Sequence, residues 1–142
     1  MSDEPGFRLA IRRCHYEKML ADVEACAPEE ACGLIAGQNW LTDQVYTITN
    51  ALHSPTAYRM DAQEQITAFL EMEKNGQELL AIYHSHPTGP SEPSETDRVE
   101  FAYPGVITLI WYPGSTDWEC RAYWIEQGRF SKADWKLELE SN

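Results

Sequence analysis

The stretch Leu79-Leu80-Ala81-Ile82-Tyr83-His84-Ser85-His86-Pro87 constrains this chain more than any other. Its first five residues read as a short apolar strand. Pro87 cannot donate to a sheet ladder, so the strand ends there and the chain turns away. Thr88 to Pro93 then holds Gly89, Pro90 and Pro93, which excludes regular structure. Side chains two apart on a strand share a face. The fold must therefore present His84 and His86 to one side, at the end of a strand that opens into an irregular loop.

The remaining segments give that strand its neighbours. Phe7 to Ile11 reads as a first strand. Tyr16, Met19, Leu20 and Val23 recur at helical spacing, predicting a helix over His15 to Ala27 that Pro28 ends. Cys32 to Gly37 is a short buried strand, and Trp40 to Thr49 suits another. Asn50 to Tyr58, with Ser54-Pro55, reads as a loop. Asp61 to Lys74 is the next helix, with Asp61 as N-cap, an apolar stripe of Ile66, Phe69 and Leu70, and Asn75-Gly76 as its stop. Ser94 to Tyr103 reads as a third helix, ended by Pro104-Gly105. Val106 to Trp111 and Cys120 to Ile125 are strands, and a turn at Gln127-Gly128 precedes a final strand near Trp135 to Leu139. Strands alternating with three helices predict an α/β (α+β) fold, a single mixed β-sheet with flanking helices. No internal linker appears, so residues 1–142 are expected to form one domain with frayed ends at the first six and last three residues.

Composition excludes several roles. Lys plus Arg total 11 against 23 Asp plus Glu, a formal net charge of −12. Such a chain repels phosphate backbones and anionic lipid surfaces, so neither nucleic acid nor membrane is an expected partner. No apolar run approaches the roughly 18 residues of a membrane span. The N-terminus is polar and acidic without a signal-peptide pattern, which predicts a cytoplasmic location. Cys14, Cys26, Cys32 and Cys120 form no Cys-x-x-Cys pair and are expected to be idle thiols. The scattered tryptophans read as packing residues.

Imidazole nitrogen is a good zinc ligand. Ser94-Glu95-Thr96-Asp97 follows Pro87 after six residues, and by itself it is a helix start with Ser94 as N-cap and Asp97 completing a capping box. Two imidazoles and the Asp97 carboxylate would make three protein ligands. Structural zinc sites use four, whereas catalytic sites keep one position for water. His15 and His53 lie at no ligand spacing and read as a helix residue and a loop residue. Glu29 and Glu30 are both available as a nearby acid or base, and residue chemistry does not choose between them.

His-Ser-His-Pro, six residues, Ser, two residues, Asp resembles the signature of the JAMM (MPN-plus) metallopeptidases without a departure. Pro28-Glu29-Glu30-Ala31-Cys32-Gly33-Leu34-Ile35 resembles the segment in which that family carries an upstream glutamate, with Glu30 in the matching place. The likeness covers nearly the whole chain and implies a JAMM/MPN-type domain. It also implies one Zn2+ per chain, held by His84, His86 and Asp97, with Glu30 moving the proton of a bound water and Ser94 donating to the oxyanion. The implied activity is hydrolysis of a peptide or isopeptide bond at the C-terminal glycine tail of a ubiquitin-like or ThiS-like sulfur-carrier (β-grasp) protein. The space from Tyr58 to His84 and from Asp97 to Val106 leaves no room for the two insertions of larger members, so the compact bacterial and archaeal type is expected. An interaction module with structural zinc is the alternative. A zinc deaminase would need a Cys-x-x-Cys pair, which is missing.

Overall fold

The computed structural model describes residues 8–139. Phe7 and the expected frayed ends lie outside the described residues. The elements run β1 (Leu9–Arg12), α1 (Arg13–Cys26), β2 (Cys32–Gln38), β3 (Leu41–Ile48), α2 (Ala62–Lys74), β4 (Glu78–Ser85), α3 (Glu95–Val99), β5 (Ile107–Pro113), β6 (Trp118–Glu126), β7 (Arg129–Ala133) and β8 (Trp135–Glu138). All eight strands join one sheet in the order β7-β6-β5-β4-β2-β3-β1-β8. It is mixed: β1 runs parallel to β3 and β8, β4 runs parallel to β5, and the other pairs are antiparallel.

β7 and β8 occupy opposite ends of this order, yet only Asp134 separates them in sequence. The sheet therefore curls until its two edges meet. The Leu9 N–H donates to the Asp134 carbonyl (3.1 Å) at the junction. Tyr16 of α1 fills the curl, its ring 5.0 Å from Trp111 and 5.7 Å from Trp135. The sequence reading had one final strand here. Arg129–Ala133 carries mostly exposed side chains and no apolar alternation, so β7 leaves no periodic trace.

Alternation along β2 and β4 divides the core. Ile35 and Tyr83 join Leu9, Ile11, Met19 and Val23 on the α1 side. Cys32, Leu34 and Ile82 join Ala68 and Met72 on the α2 side. His84, two residues beyond Ile82, projects to the α2 side. Gly33 is required at the crossing of β2 and β4, because a Cβ there would lie 2.3 Å from the Tyr83 ring and 2.6 Å from the Tyr46 carbonyl.

Two helices differ from expectation. The Asp61 carboxylate caps α2 by accepting the Glu64 N–H (2.9 Å), as expected. The buried face, however, is Ala68 and Met72, with Ile66 and Leu70 exposed. Tertiary bonds set this rotation. Glu64 accepts from the Thr49 N–H (2.7 Å) and hydroxyl (2.8 Å), and Gln65 donates to the Tyr103 hydroxyl (2.6 Å). Helix α3 stops at Val99 rather than Tyr103, since Phe101 and Tyr103 leave it to pack with each other and with Phe69.

Candidate metal centre

β4 delivers His84 and hands the chain on to His86, whose N–H still donates to the Trp111 carbonyl of β5 (2.8 Å). Both imidazoles are thus fixed by the sheet. Asp97 arrives from α3, held by a reciprocal capping box. The Ser94 Oγ accepts the Asp97 N–H (3.0 Å), and the Asp97 Oδ2 accepts the Ser94 N–H (2.8 Å). This five-residue helix exists chiefly to aim that carboxylate.

Three ligand atoms converge. His84 Nε2 lies 3.2 Å from His86 Nε2, and each lies 3.1 Å from Asp97 Oδ2. Both histidines are buried, and the aspartate side chain is nearly so. His86 Nδ1 is 2.7 Å from the Pro90 carbonyl. A carbonyl only accepts, so Nδ1 donates to it and Nε2 is the nitrogen turned to the centre. The Tyr58 ring stacks on His84 (4.7 Å, 26°). Burial pushes the Asp97 carboxyl up, but hydrogen bonds from both histidines outweigh it and hold the group well below the usual carboxylate range. Burial pulls His86 down, and Asp97 more than compensates, leaving it above an ordinary histidine. Two imidazole nitrogens and a carboxylate oxygen converging on one point are what a divalent cation takes once the imidazoles give up the protons they share with Asp97, and these three residues can hold a metal ion.

The β2–β4 register pairs Cys32 with His84. Continued past the strand ends, it sets Glu30 opposite His86. Glu30 is only 4% exposed, and its Oε1 has no hydrogen-bond partner. Burial raises its carboxyl to about 8, with His86 pulling the other way and Asp97 adding to the rise. Glu29, half-buried, turns instead to His53 Nδ1 (3.4 Å). Ser94 Oγ accepts a backbone N–H, which leaves its own proton to donate. A cavity of about 250 Å³ opens beside the centre, lined among others by His84, Ser94, Tyr58, Arg59, Gln65 and Tyr103.

The expected site residues therefore assemble at one end of β4. His15 lies in α1, and its Nδ1 is 2.7 Å from the Thr42 hydroxyl; His53 lies in a loop, as read. The four cysteines form no disulfide, and burial drives Cys32 up to about 12, which fits an idle thiol. Tyr58 and Asn50 went unnoticed because a loop residue's partners are not visible in sequence. Ser85, inside the motif itself, was the one with a signal.

Residues 13–126 match the family of prokaryotic homologs of the JAB domain. The chain belongs to that family. The JAB-domain relatives include the CysO-cysteine peptidase of Mycobacterium tuberculosis, 37% identical over 91 residues, which are 63% of this chain and 62% of that one. The chain thus spans about 62% of the length of the first curated relatives it matches. The desampylase of Pyrococcus furiosus is 34% identical over 105 residues, 74% of this chain and 75% of that one. Among solved structures, protein DSY2949 from Desulfitobacterium hafniense has a TM-score of 0.83 at 31% identity, covering 93% of this chain and 94% of that one. The mixed sheet with flanking helices is the JAB/MPN fold that the motif implied. Among the described residues, no helix is long and apolar enough to cross a membrane.

Proposed function

We propose that this chain is a zinc-dependent hydrolase of the peptide or isopeptide bond that follows the C-terminal glycine of a ubiquitin-like or sulfur-carrier β-grasp protein. One observation carries the reading: a three-atom ligand triangle with edges of 3.1–3.2 Å beside a buried carboxyl group without a partner. Tetrahedral zinc with bonds of about 2.0–2.1 Å sets its ligands roughly 3.3–3.4 Å apart. The triangle needs to open by only a few tenths of an ångström to receive it. Three protein ligands leave the fourth corner for water, the pattern of catalytic sites.

When bound, zinc would supply a water of lowered pKa and polarise the scissile carbonyl. The protein's residues would do the rest. Glu30 would accept the water proton and pass it to the departing amine. The Ser94 hydroxyl would donate to the oxygen that gains charge, while its oxygen lone pair keeps the cap on α3. The cavity beside His84 and Ser94 would take an extended tail, and glycines suit it because no Cβ obstructs a close approach. Exposed Ile66 and Leu70 share one face of α2, whose Gln65 and Phe69 pack against the cavity wall at Tyr103. That face would seat the body of the carrier. The relatives' names, a CysO-cysteine peptidase and a desampylase, support this substrate class.

Zinc-loaded protein should be incubated with carriers extended by one amino acid and with lysine-linked conjugates, and the products weighed by mass spectrometry. Release of the carrier ending in glycine is expected from one set. Cleavage of neither, with zinc bound, overturns the proposal. Glu30→Gln should keep zinc and lose turnover, whereas a binding module would keep its full function.

A further inference from the structure

Glu30 and Ala31 lie outside regular structure, between the end of α1 at Cys26 and the start of β2 at Cys32. Buried backbone groups need partners, and all four polar groups of this dipeptide have one. The Glu30 N–H donates to the Ser54 carbonyl (2.9 Å), and the Glu30 carbonyl accepts from Asn50 Nδ2 (3.1 Å). The Ala31 carbonyl accepts the Ser85 N–H (3.1 Å), and the Ala31 N–H donates to the Ser85 Oγ (2.8 Å). Two of these four partners are side chains. Ser85 is fully buried between the ligand histidines. Asn50 is 6% exposed and spends its whole amide. Its Nδ2 also donates to the Ala57 carbonyl (3.0 Å), and its Oδ1 accepts the Leu52 and Arg59 N–H groups (3.0 and 3.1 Å).

We propose that Ser85 and Asn50 are positioning residues that mount Glu30 relative to the metal ligands. Ser85 ties the glutamate's peptide to the ligand strand itself. Asn50 ties it to the loop whose Tyr58 stacks on His84. Together they tie the residue to two independently anchored parts of the centre, serving the two backbone groups of this stretch that no backbone partner reaches. A misplacement near 1 Å costs a reacting group about a hundred-fold in rate, so losing either hydrogen bond should show in turnover.

The inference rests on the hydrolase reading, and its test separates the two. Ser85→Ala should keep a full complement of zinc, keep KM within about two-fold, and lose roughly 10- to 100-fold in kcat. In a Glu30→Gln background the same substitution should cost nothing further, because it acts through that carboxyl. Amide hydrogen exchange should quicken at Ala31 and stay unchanged at Leu34 and Ile82. Asn50→Asp, which keeps the acceptor and removes the donor, should repeat the kinetic pattern and provides the test should Ser85→Ala not fold. An equal loss in both backgrounds, loss of zinc, an unchanged kcat, or unchanged exchange at Ala31 each overturns the mounting role. A wild-type protein that cleaves no carrier refutes the hydrolase reading instead, and exchange at Ala31 then judges the mounting by itself.

Discussion

Replacing Glu30 by glutamine in the metal-free protein should remove a fall of stability with rising pH. In the fold this carboxyl is 4% exposed and titrates at about 8, against an ordinary 4.5 once the chain unfolds. Between those two values the native state holds a proton that the unfolded state has released. Stability therefore drops as pH rises through this window, and the drop is complete above about pH 8. Each pH unit there costs about 1.4 kcal/mol, so the wild type gives up about 3 kcal/mol by pH 7. For a chain of this length that is roughly 10 °C in melting temperature. Glutamine fills the same space and cannot ionise. Thermal melts of both chelated proteins from pH 5 to pH 9 make the comparison. The two curves should run close at pH 5, part by roughly 10 °C at pH 7, and run parallel again above pH 8. His86, raised above an ordinary histidine by Asp97 and in part by Glu30 itself, adds a fall of its own that is smaller in the variant and so adds to the separation. Zinc should narrow the gap, since a cation beside the carboxylate stabilises its charged form. A separation that ignores pH, or a wild type that gains on the variant as pH rises, would refute the burial argument.

Ser94→Ala should retain zinc and lose about a hundred-fold or more in turnover, with about 1 kcal/mol of stability gone with the cap; an unchanged rate would reduce Ser94 to a helix cap. His84→Ala and Asp97→Ala should each lower zinc content and abolish turnover, read by elemental analysis of dialysed protein, and normal zinc in either would refute the ligand assignment. Leu70→Asp should raise KM for a folded carrier several-fold while cleavage of a short glycine-tailed peptide stays unchanged; equal effects on both substrates would remove the α2 face from substrate binding.

The site was legible in sequence where its geometry follows from local rules. A strand's alternation brings His84 and His86 to one face, Pro87 ends that strand, and a capping box at Ser94 and Asp97 orients a carboxylate, all within fourteen residues. Glu30 was legible only through its likeness to a known segment, because its place opposite His86 depends on strand pairing across a separation of 56 residues. Elements failed where tertiary bonds overrode local preference. The apolar triplet Ile66, Phe69 and Leu70 predicted the buried stripe of α2, but Glu64 and Gln65 turn Ala68 and Met72 inward instead. Residues Glu100 to Tyr103 suit a helix, yet Phe101 and Tyr103 gain more from packing near α2 than from another turn. β7 was invisible since its side chains are mostly exposed and its partner is set only in the fold, where Phe130 meets the Tyr123 ring of β6 edge-on (5.5 Å).

Most of the unsatisfied buried side-chain atoms among the described residues lie at this centre or in its cavity. Native proteins pair nearly all their buried polar atoms, so each exception asks for a reason. Among the described residues the buried side-chain atoms without a hydrogen-bond partner are Glu30 Oε1, His84 Nδ1, Thr108 Oγ1 and Trp111 Nε1. Two belong to the centre and Thr108 lines the adjoining cavity, whereas the Trp111 indole lies in the other half of the core, beside Tyr16. A core built only for stability would place apolar side chains at the end of β4, where Ile82 and Leu34 already pack well. The buried imidazoles and the high-lying Glu30 carboxyl cost the metal-free fold their desolvation, and Asp97, held low by its neighbours, gives back only part of it. Their joint presence has a physical rationale if a cation offsets these costs together: it takes the two imidazole nitrogens and the Asp97 charge directly, and it lowers the proton affinity of Glu30 from a distance. The same cation would thus bring the raised Glu30 down into the range where a base can exchange protons near neutral pH. Burial that is costly to the empty fold is what keeps that carboxyl responsive to the metal, so the stability penalty and the proposed proton transfer have a single cause.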